Sequence, residues 1–287
     1  MSTNLKTPIG KAPGREALPY VIGAMGFAVA KGQVETAPRE CRFYDARPIA
    51  AELSLDREGF KLIKHESKLA RQGDVDLLRR ESLAYLDDLA PAIKEAMGAS
   101  WVVPRTASNT GVVVRSATKI VPGQPFYYVR NKGAIEIPFP NVHMDYTAES
   151  ALNLAKAENH QRGIAERPFS RLIIIQAWQA VSAPPQDRPL AVMDASTLDH
   201  NDAFAMGPSP DPNDLSGDYI QARFVLFNPN QRWYYFSDMV HSDVVLFKGY
   251  DSANLATPPH ASFINKAVAA NAHPRESVEG RFFVYYD

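Results

Sequence analysis

Apolar and polar residues follow two different spacings along this chain, and the change of spacing separates two regions. Between Asp56 and Met97, apolar residues recur near the helical period among many charges, which predicts a helical region over residues 56–98. After residue 100 the apolar residues gather in short runs separated by Pro, Gly, Asn and Asp, a pattern typical of strands and turns. Residues 1–20 contain Lys, Pro and Gly without periodicity, and we expect them to form an arm over the surface.

The predicted strands are runs rich in β-branched and aromatic residues, bounded by turn-forming residues. They are Gly111–Val114, Phe126–Arg130, Ala134–Ile137, Leu172–Trp178, Leu190–Met193, Tyr219–Phe227, Trp233–Phe236, Val244–Phe247 and Ser277–Tyr286. Many short strands in succession favour a sandwich or barrel over alternating β and α units. One helical insertion is predicted near residues 149–161, with Thr147 as its N-cap. We therefore expect a single domain over residues 1–287, mainly β with flanking helices.

The charge balance argues against a general polyanion binder. Lysine and arginine total 31 against 32 acidic residues, so no overall field favours nucleic acid or an anionic membrane, and a small-molecule partner is expected. The single cysteine, Cys41, cannot form an internal disulfide, which fits a reducing cytoplasm. The most apolar early stretch, residues 20–30, is far shorter than the roughly 20 residues that span a bilayer. Neither pattern nor composition predicts an oligomeric state.

Three pairs of a histidine and an aspartate two residues apart are candidate metal ligands. The pairs are His143 with Asp145, His200 with Asp202, and His241 with Asp243. Non-haem Fe(II) oxygenases hold iron through two imidazoles and one carboxylate, which leaves other positions open for co-substrate and oxygen. The His200 pair lies in a polar run typical of a solvated surface, and the His241 pair is too close in sequence to His260 to cross a sandwich and return to one metal. The His143 pair follows an apolar run of residues and precedes the predicted helix. Its position therefore favours it as the metal-binding pair.

A third ligand should follow a late strand and be followed in turn by a basic residue. His260 meets this condition, because the predicted strand Val244–Phe247 precedes it and Arg275 follows. An arginine fork can take the distal carboxylate of 2-oxoglutarate with two charge-assisted hydrogen bonds, and Ser277, on the same strand face, can supply a third. Arg281 shares that face and competes with Arg275, which is favoured by the serine spacing. Taken singly, His260 could be a loop histidine bonded to backbone and Arg275 a surface ion-pair partner; their order favours a site.

At these residues the sequence has a wider likeness to a known family. The segments that carry it are Val142–Asp145, Gln176–Trp178, Arg188–Ala195, Asn228–Pro229, Trp233–Phe236, Phe247–Ser252, Pro259–Phe263 and Arg275–Glu279. With these segments the chain resembles the non-haem iron, 2-oxoglutarate-dependent oxygenases that include the cephamycin methoxylation component and fungal hydroxylase/desaturases related to gibberellin desaturase. The resemblance implies a double-stranded β-helix, a cupin-like jelly roll, with its core over residues 100–287. It also implies that Fe(II), 2-oxoglutarate and O2 oxidise a C–H bond of a small metabolite, in secondary metabolism.

The candidate substrate wall lies on the predicted strand Leu172–Trp178, where Gln176 and Trp178 share one face. The family tends to have an arginine after this tryptophan, and here Gln179 stands in that place. Trp178 could equally pack in the core. No catalytic residue is predicted beyond the metal ligands. Hydroxylation, desaturation and oxidative cyclisation stay open, as do two rivals: a cupin-type iron dioxygenase or isomerase without 2-oxoglutarate, and a non-catalytic β-sandwich binding protein.

Overall fold

The computed structural model describes residues 15–69, 77, 81–106, 111–120, 135–253, 257–267 and 271–287. In chain order, the strands are β1 Tyr20–Ala28, β2 Thr36–Asp45, β3 Phe60–Lys64, β4 Trp101–Pro104, β5 Val112–Ser116, β6 His143–Met144, β7 Arg171–Ala180, β8 Leu190–Met193, β9 Ala203–Ala205, β10 Arg223–Val225, β11 Trp233–Tyr235, β12 Asp243–Asp251, β13 His260–Ser262, β14 Ile264–Asn265 and β15 Glu276–Tyr286. The α-helices among these residues are α1 Ser82–Met97 and α2 Ala148–Gln161. The predicted strand Phe126–Arg130 and residues 1–14 of the predicted arm lie outside the described residues.

The strands form two sheets that pack face to face as a jelly roll. The larger sheet has the order β14-β1-β2-β11-β8-β13-β6-β10-β9, and the smaller has the order β3-β12-β7-β15-β4, with β5 also paired to β15. Trp178 and Phe247 of the smaller sheet pack with Val192 and Tyr234 of the larger one, so a shared core lies between the sheets. The sequence prediction of a mainly β fold is confirmed, with far more of the described residues in strands than in helices.

Strand β15 separates two environments, because successive side chains of a strand point to opposite faces of the sheet. Val278 and Phe282 point outward and pack with Leu86 and Leu89 of α1. The alternate residues point toward the larger sheet, and Arg281 among them reaches Asp145 at the end of β6. Residues 276–285 of β15 are all buried, so one strand supports a helix on one side and the candidate site on the other.

Both α-helices contain positions that the hydrophobic pattern identified. Leu86, Leu89 and Ile93 form the buried face of α1, and Gly98 ends the helix in the left-handed conformation with a φ of 60°. The predicted cap of α2 is confirmed, since the Thr147 hydroxyl accepts a hydrogen bond from the Ser150 backbone N–H at 3.2 Å. Apolar residues of α2 pack on Ile174, Phe283 and neighbouring residues at one end of the inner sheet face, which closes that end of the sandwich.

The structure differs from the predicted helical region 56–98 at residues 60–64. Residues 60–64 form β3, which pairs with β12 so that Phe60 lies opposite Phe247. Strands β1 and β2 also precede residue 100, so the core is not confined to residues 100–287. The end of the predicted arm is likewise part of the fold, because Arg15 is buried and forms an ion pair with Glu58 at 2.8 Å. In each case a partner distant in sequence outweighs the local pattern.

Within the part of the chain that the structure describes, no helix is long and apolar enough to cross a membrane.

Replacing Leu86 with alanine is expected to lower the free energy of unfolding by about 2–5 kcal/mol, because a buried leucine leaves a cavity. Leu86 is fully buried, and its Cδ2 atom lies beside Gly280 of β15. The same truncation at Leu83, on the same helix but 57% exposed, should change the free energy by less than about 0.5 kcal/mol. Urea unfolding followed by circular dichroism measures both, and equal losses would contradict this packing of α1.

Candidate metal centre

Two neighbouring strands of the larger sheet bring the candidate ligands together. His143 of β6 and His260 of β13 are directly paired across the antiparallel ladder, and their ring centroids are 4.3 Å apart. Asp145 follows β6 immediately. One potential ligand atom from each of these three buried residues lies within 4.8 Å of the others, and the described residues contain no second cluster of this kind.

The His143 ring is oriented by a backbone contact. Its Nδ1 atom lies 2.8 Å from the Asn141 carbonyl oxygen and donates to it, while Nε2 lies 3.3 Å from Asp145 Oδ1. A neutral ring that donates from Nδ1 presents a lone pair at Nε2. Nε2 is the ring atom that faces Asp145, a position suited to a shared cation, and the carbonyl contact is the usual support of a metal-binding histidine.

The electrostatic surroundings of the other two ligands also suit a divalent cation. Burial, with a further contribution from His143, lowers the pKa of His260 to about 3, so the ring is neutral at physiological pH. Its Nδ1 atom is buried without a hydrogen-bond partner in the described residues. Burial alone would raise the pKa of Asp145, but Arg281 and His143 hold it well below its usual range. Two imidazoles and one carboxylate therefore fit the donor set of a non-haem iron site.

The other two His–Asp pairs have different surroundings. His200 is exposed, and Asp202 accepts a hydrogen bond from the Asn228 amide at 2.8 Å. Asp243 is buried, but Arg47 and Lys64 lie 2.6 Å and 2.5 Å from its two oxygens. In the part of the chain that the structure describes, neither pair joins a third metal-binding side chain.

Arg275 is a buried cation with hydrogen-bonding capacity to spare. It is 1% exposed, and its Nε and Nη2 atoms have no partner among the described residues. Its guanidinium lies over the Trp178 ring at 5.4 Å from the centroid. Burial, and then the nearby Arg115, lower the pKa of Arg275 to about 9, so it stays charged at physiological pH. Arg115 also lowers the pKa of His260, so its charge acts on both groups.

Ser277 and the residues of the predicted substrate wall lie on this same inner face. Ser277 is buried, and in the sheet ladder it lies opposite Ala180 of β7 and Arg115 of β5. Gln176 is fully buried, and its side-chain amide donates to Asp145 Oδ2 at 2.7 Å. Trp178 lies beneath Arg275. Contact of Gln176 and Trp178 with a substrate stays a prediction.

The sequence reasoning did not identify the partners of Asp145. The sequence made Arg281 an alternative to Arg275 for binding the distal carboxylate of 2-oxoglutarate. In the structure, its Nη2 atom donates to Asp145 Oδ2 and lies 2.9 Å from Glu279 Oε1. Arg115 adds a longer ion pair of 3.7 Å to Glu279 Oε2. The strand alternation places Arg281 and Glu279 on the inner face, but no feature of the sequence pairs them with a residue on β6.

Comparison with known proteins gives one family and several relatives. The sequence model of the family described as "Oxidoreductase/YMDC permease-like domain" matches residues 11–285. The chain is 29% identical over 255 residues to the hydroxylase/desaturase efuI of Hormonema carpetanum. The alignment covers 85% of this chain and 82% of that protein. It is 26% identical over 265 residues to the Fe(II)/2-oxoglutarate-dependent dioxygenase nvfI of Aspergillus novofumigatus. This alignment covers 86% of this chain and 84% of that protein.

A solved structure has the same fold. The iron and alpha-ketoglutarate-dependent endoperoxidase NvfI superposes with a TM-score of 0.65 at 22% identity, over 93% of this chain and 97% of that chain. Together with the two facing sheets, this likeness identifies the jelly roll.

Replacing His143, Asp145 or His260 with alanine is expected to abolish stoichiometric Fe(II) binding, because each change removes one of three clustered donors. The loss should exceed the roughly 10–100-fold typical of removing a supporting residue. His200→Ala and His241→Ala are the matched controls and should bind iron like the unchanged protein. Anaerobic titration with Fe(II) measures the affinities. Iron that survived loss of His260 but vanished with His241 would move the third ligand.

Proposed function

The chain belongs to the family described as an oxidoreductase/YMDC permease-like domain, and from its cluster of two histidines and one aspartate and the names of its relatives we propose that it is an Fe(II)- and 2-oxoglutarate-dependent oxygenase. Its reaction is the oxidation of a C–H bond of a small metabolite, by hydroxylation, desaturation or oxidative cyclisation, in secondary metabolism. The names of the relatives efuI and nvfI support this class of reaction. The narrower likeness to the cephamycin methoxylation component and the cytoplasmic location are part of the same proposal.

The observation that carries the proposal is the buried cluster of His143, Asp145 and His260. Two imidazoles with one carboxylate are the donor set of non-haem Fe(II) oxygenases, whereas structural zinc sites use four protein ligands, mostly cysteine and histidine. Cys41 is a free cysteine in the core cluster of the larger sheet that includes Met25 and Phe43. The cluster therefore fits iron with open coordination positions better than it fits a closed structural site.

Arg275 and Ser277 are the proposed clamp for the distal carboxylate of 2-oxoglutarate. The two unpartnered guanidinium nitrogens of Arg275, assessed among the described residues, match the two oxygens of a carboxylate. Burial, and then the nearby Arg115, lower the pKa of Arg275, and a carboxylate bound beside it would favour its charged form. Arg281 is less suited to this role, because its Nη2 atom is already bonded to Asp145 and Glu279.

Each group of this chain has one task in the proposed reaction. Fe(II) bound by His143, Asp145 and His260 would supply, with 2-oxoglutarate and O2, the oxidising power that breaks an unactivated C–H bond. Arg275 and Ser277 orient the co-substrate, and the Arg275 guanidinium lies over the Trp178 ring. Helix α2 covers one end of the inner sheet face, which limits access of water there.

The decisive experiment is a coupled measurement of succinate formation. The protein, loaded anaerobically with Fe(II), is given 2-oxoglutarate, O2 and a panel of amino acids, peptides and terpenoid acids. Succinate that forms only with 2-oxoglutarate and rises with one class of substrate supports the proposal. Oxidation of a substrate without 2-oxoglutarate would favour a cupin-type iron dioxygenase or isomerase. Protein that takes up no stoichiometric Fe(II) would favour a non-catalytic binding protein.

Arg275→Ala is expected to weaken 2-oxoglutarate binding by more than tenfold while Fe(II) loading stays unchanged, because a buried carboxylate loses its charged partner at a cost of about 2–5 kcal/mol. Arg275→Lys keeps the charge but loses the planar fork. Its affinity for 2-oxoglutarate should therefore lie between those of the unchanged protein and Arg275→Ala. Titration of 2-oxoglutarate into anaerobic Fe(II) protein, followed by the metal-to-ligand absorption band, measures these affinities. An unchanged titration in Arg275→Ala, with the loss in Arg281→Ala, would transfer the clamp to Arg281.

A further inference from the structure

The two oxygens of the Asp145 carboxylate have different surroundings. Oδ1 faces the His143 ring, with Nε2 at 3.3 Å. Oδ2 accepts two hydrogen bonds from the smaller sheet, from the Gln176 amide at 2.7 Å and from Arg281 Nη2 at 2.9 Å. A carboxylate oxygen that already accepts two short hydrogen bonds has little capacity left for a metal ion.

Glu279 closes these contacts into a ring. Arg281 Nη2 lies 2.9 Å from Glu279 Oε1, and the Gln176 amide reaches the same oxygen at the longer distance of 3.4 Å. Each of the two donors thus bridges the same two carboxylates. The ring joins Asp145, which follows a strand of the larger sheet, to two neighbouring strands of the smaller sheet.

The orientation of Gln176 within this ring has two physical causes. Both of its partners are carboxylates, so the amide must present its nitrogen to them rather than its oxygen. The bulge of β12 also brings Gly249 against it, and a Cβ atom at Gly249 would lie 2.6 Å from both Gln176 Oε1 and the Tyr146 ring. Glycine at this position therefore lets the neighbouring backbone pack closely against the amide.

Further ion pairs lead from Glu279 toward the proposed co-substrate clamp. Beyond Glu279 lies Arg115, which also pairs with Glu136 at 3.0 Å. Charges thus alternate in sign from Asp145 to Glu136, and Arg115 lies near Arg275 as well as His260. Strand β15 and the residue before it supply both the clamp and Arg281, so the same strand contacts the metal carboxylate and the co-substrate.

We propose that Arg281 and Gln176 are positioning residues that hold Asp145 as a single-oxygen metal ligand and fix it relative to the clamp on the same strand. This inference rests on the proposed metal site. Its functional meaning is that one oxygen of Asp145 is withheld from the ion, so a coordination position is kept for the co-substrate. In this role both residues act on the metal through Asp145.

The test separates geometry from charge. Arg281→Lys keeps the positive charge but cannot reproduce the planar fork, and Gln176→Met removes a neutral donor at similar volume. Both variants should bind Fe(II) about 10–100-fold more weakly. Arg281→Gln removes the charge as well and should also bind more weakly. Tighter binding in Arg281→Gln would mean that Arg281 acts on the metal only as a repelling cation, and this would overturn the proposal.

A matched control is available on strand β7. Arg171 also forms an ion pair with a buried carboxylate, with Nε at 2.9 Å from Asp251 Oδ1, and Asp251 is not part of the metal cluster. Arg171→Lys should lower the thermal stability of the metal-free protein, with unchanged Fe(II) affinity. Equal losses of Fe(II) affinity in both variants would reduce the role of Arg281 to general stability.

A spectroscopic readout reports the coordination directly. In Co(II)-loaded protein the ligand-field absorption depends on the number of donor atoms. Arg281→Lys should change this absorption, because the released Oδ2 can join the metal, whereas Arg171→Lys should leave it unchanged. Identical spectra in Arg281→Lys and the unchanged protein would contradict the single-oxygen assignment.

The two proposals fail in different ways. If the unchanged protein takes up no stoichiometric Fe(II), the proposed metal site itself is wrong. If it binds Fe(II) and the Arg281 and Gln176 variants bind it equally well, only the positioning role is wrong.

Discussion

The ion pair between Asp145 and Arg281 is the interaction on which the centre of this molecule depends. Burying a carboxylate between two sheets is costly unless a cation and further donors compensate it. Arg281 and Gln176 supply that compensation from the smaller sheet, and so they tie the two sheets together at the proposed metal site. Because the pair is buried, removing one partner leaves an uncompensated charge. Stability and metal binding therefore depend on the same contact.

Strand β15 connects the proposed metal site to helix α1. Its outward residues pack with α1, and its inward residues reach Asp145. A shift of α1 would therefore move the strand that carries Arg281 and Ser277. This arrangement places the proposed ligands and the clamp on strands or directly beside them rather than on long loops, which suits a site that must hold precise distances.

Three copies of one short motif illustrate how surroundings determine chemistry. The pair His241 and Asp243 has a buried carboxylate, yet Arg47 and Lys64 neutralise it, so it is a structural ion-pair centre. Asp202 is bonded within a surface turn region. Only the pair at Asp145 has a second imidazole across a strand ladder, within the described part of the chain. A motif becomes a metal-site candidate when its remaining partner is supplied by the fold.

Features that depend on near neighbours were predictable from the residue pattern. The strand Leu190–Met193, the cap at Thr147 and the buried face of α1 all follow from residue pattern and local hydrogen bonding, and the order of His143, Asp145 and His260 made them candidates. Tertiary structure alone decided that residues 60–64 form a strand and that Gln176 and Arg281 bond to Asp145, because these outcomes require partners far apart in the chain. Local periodicity reports which face of a strand a side chain occupies, but the residue that it meets there is set by how the sheets pack.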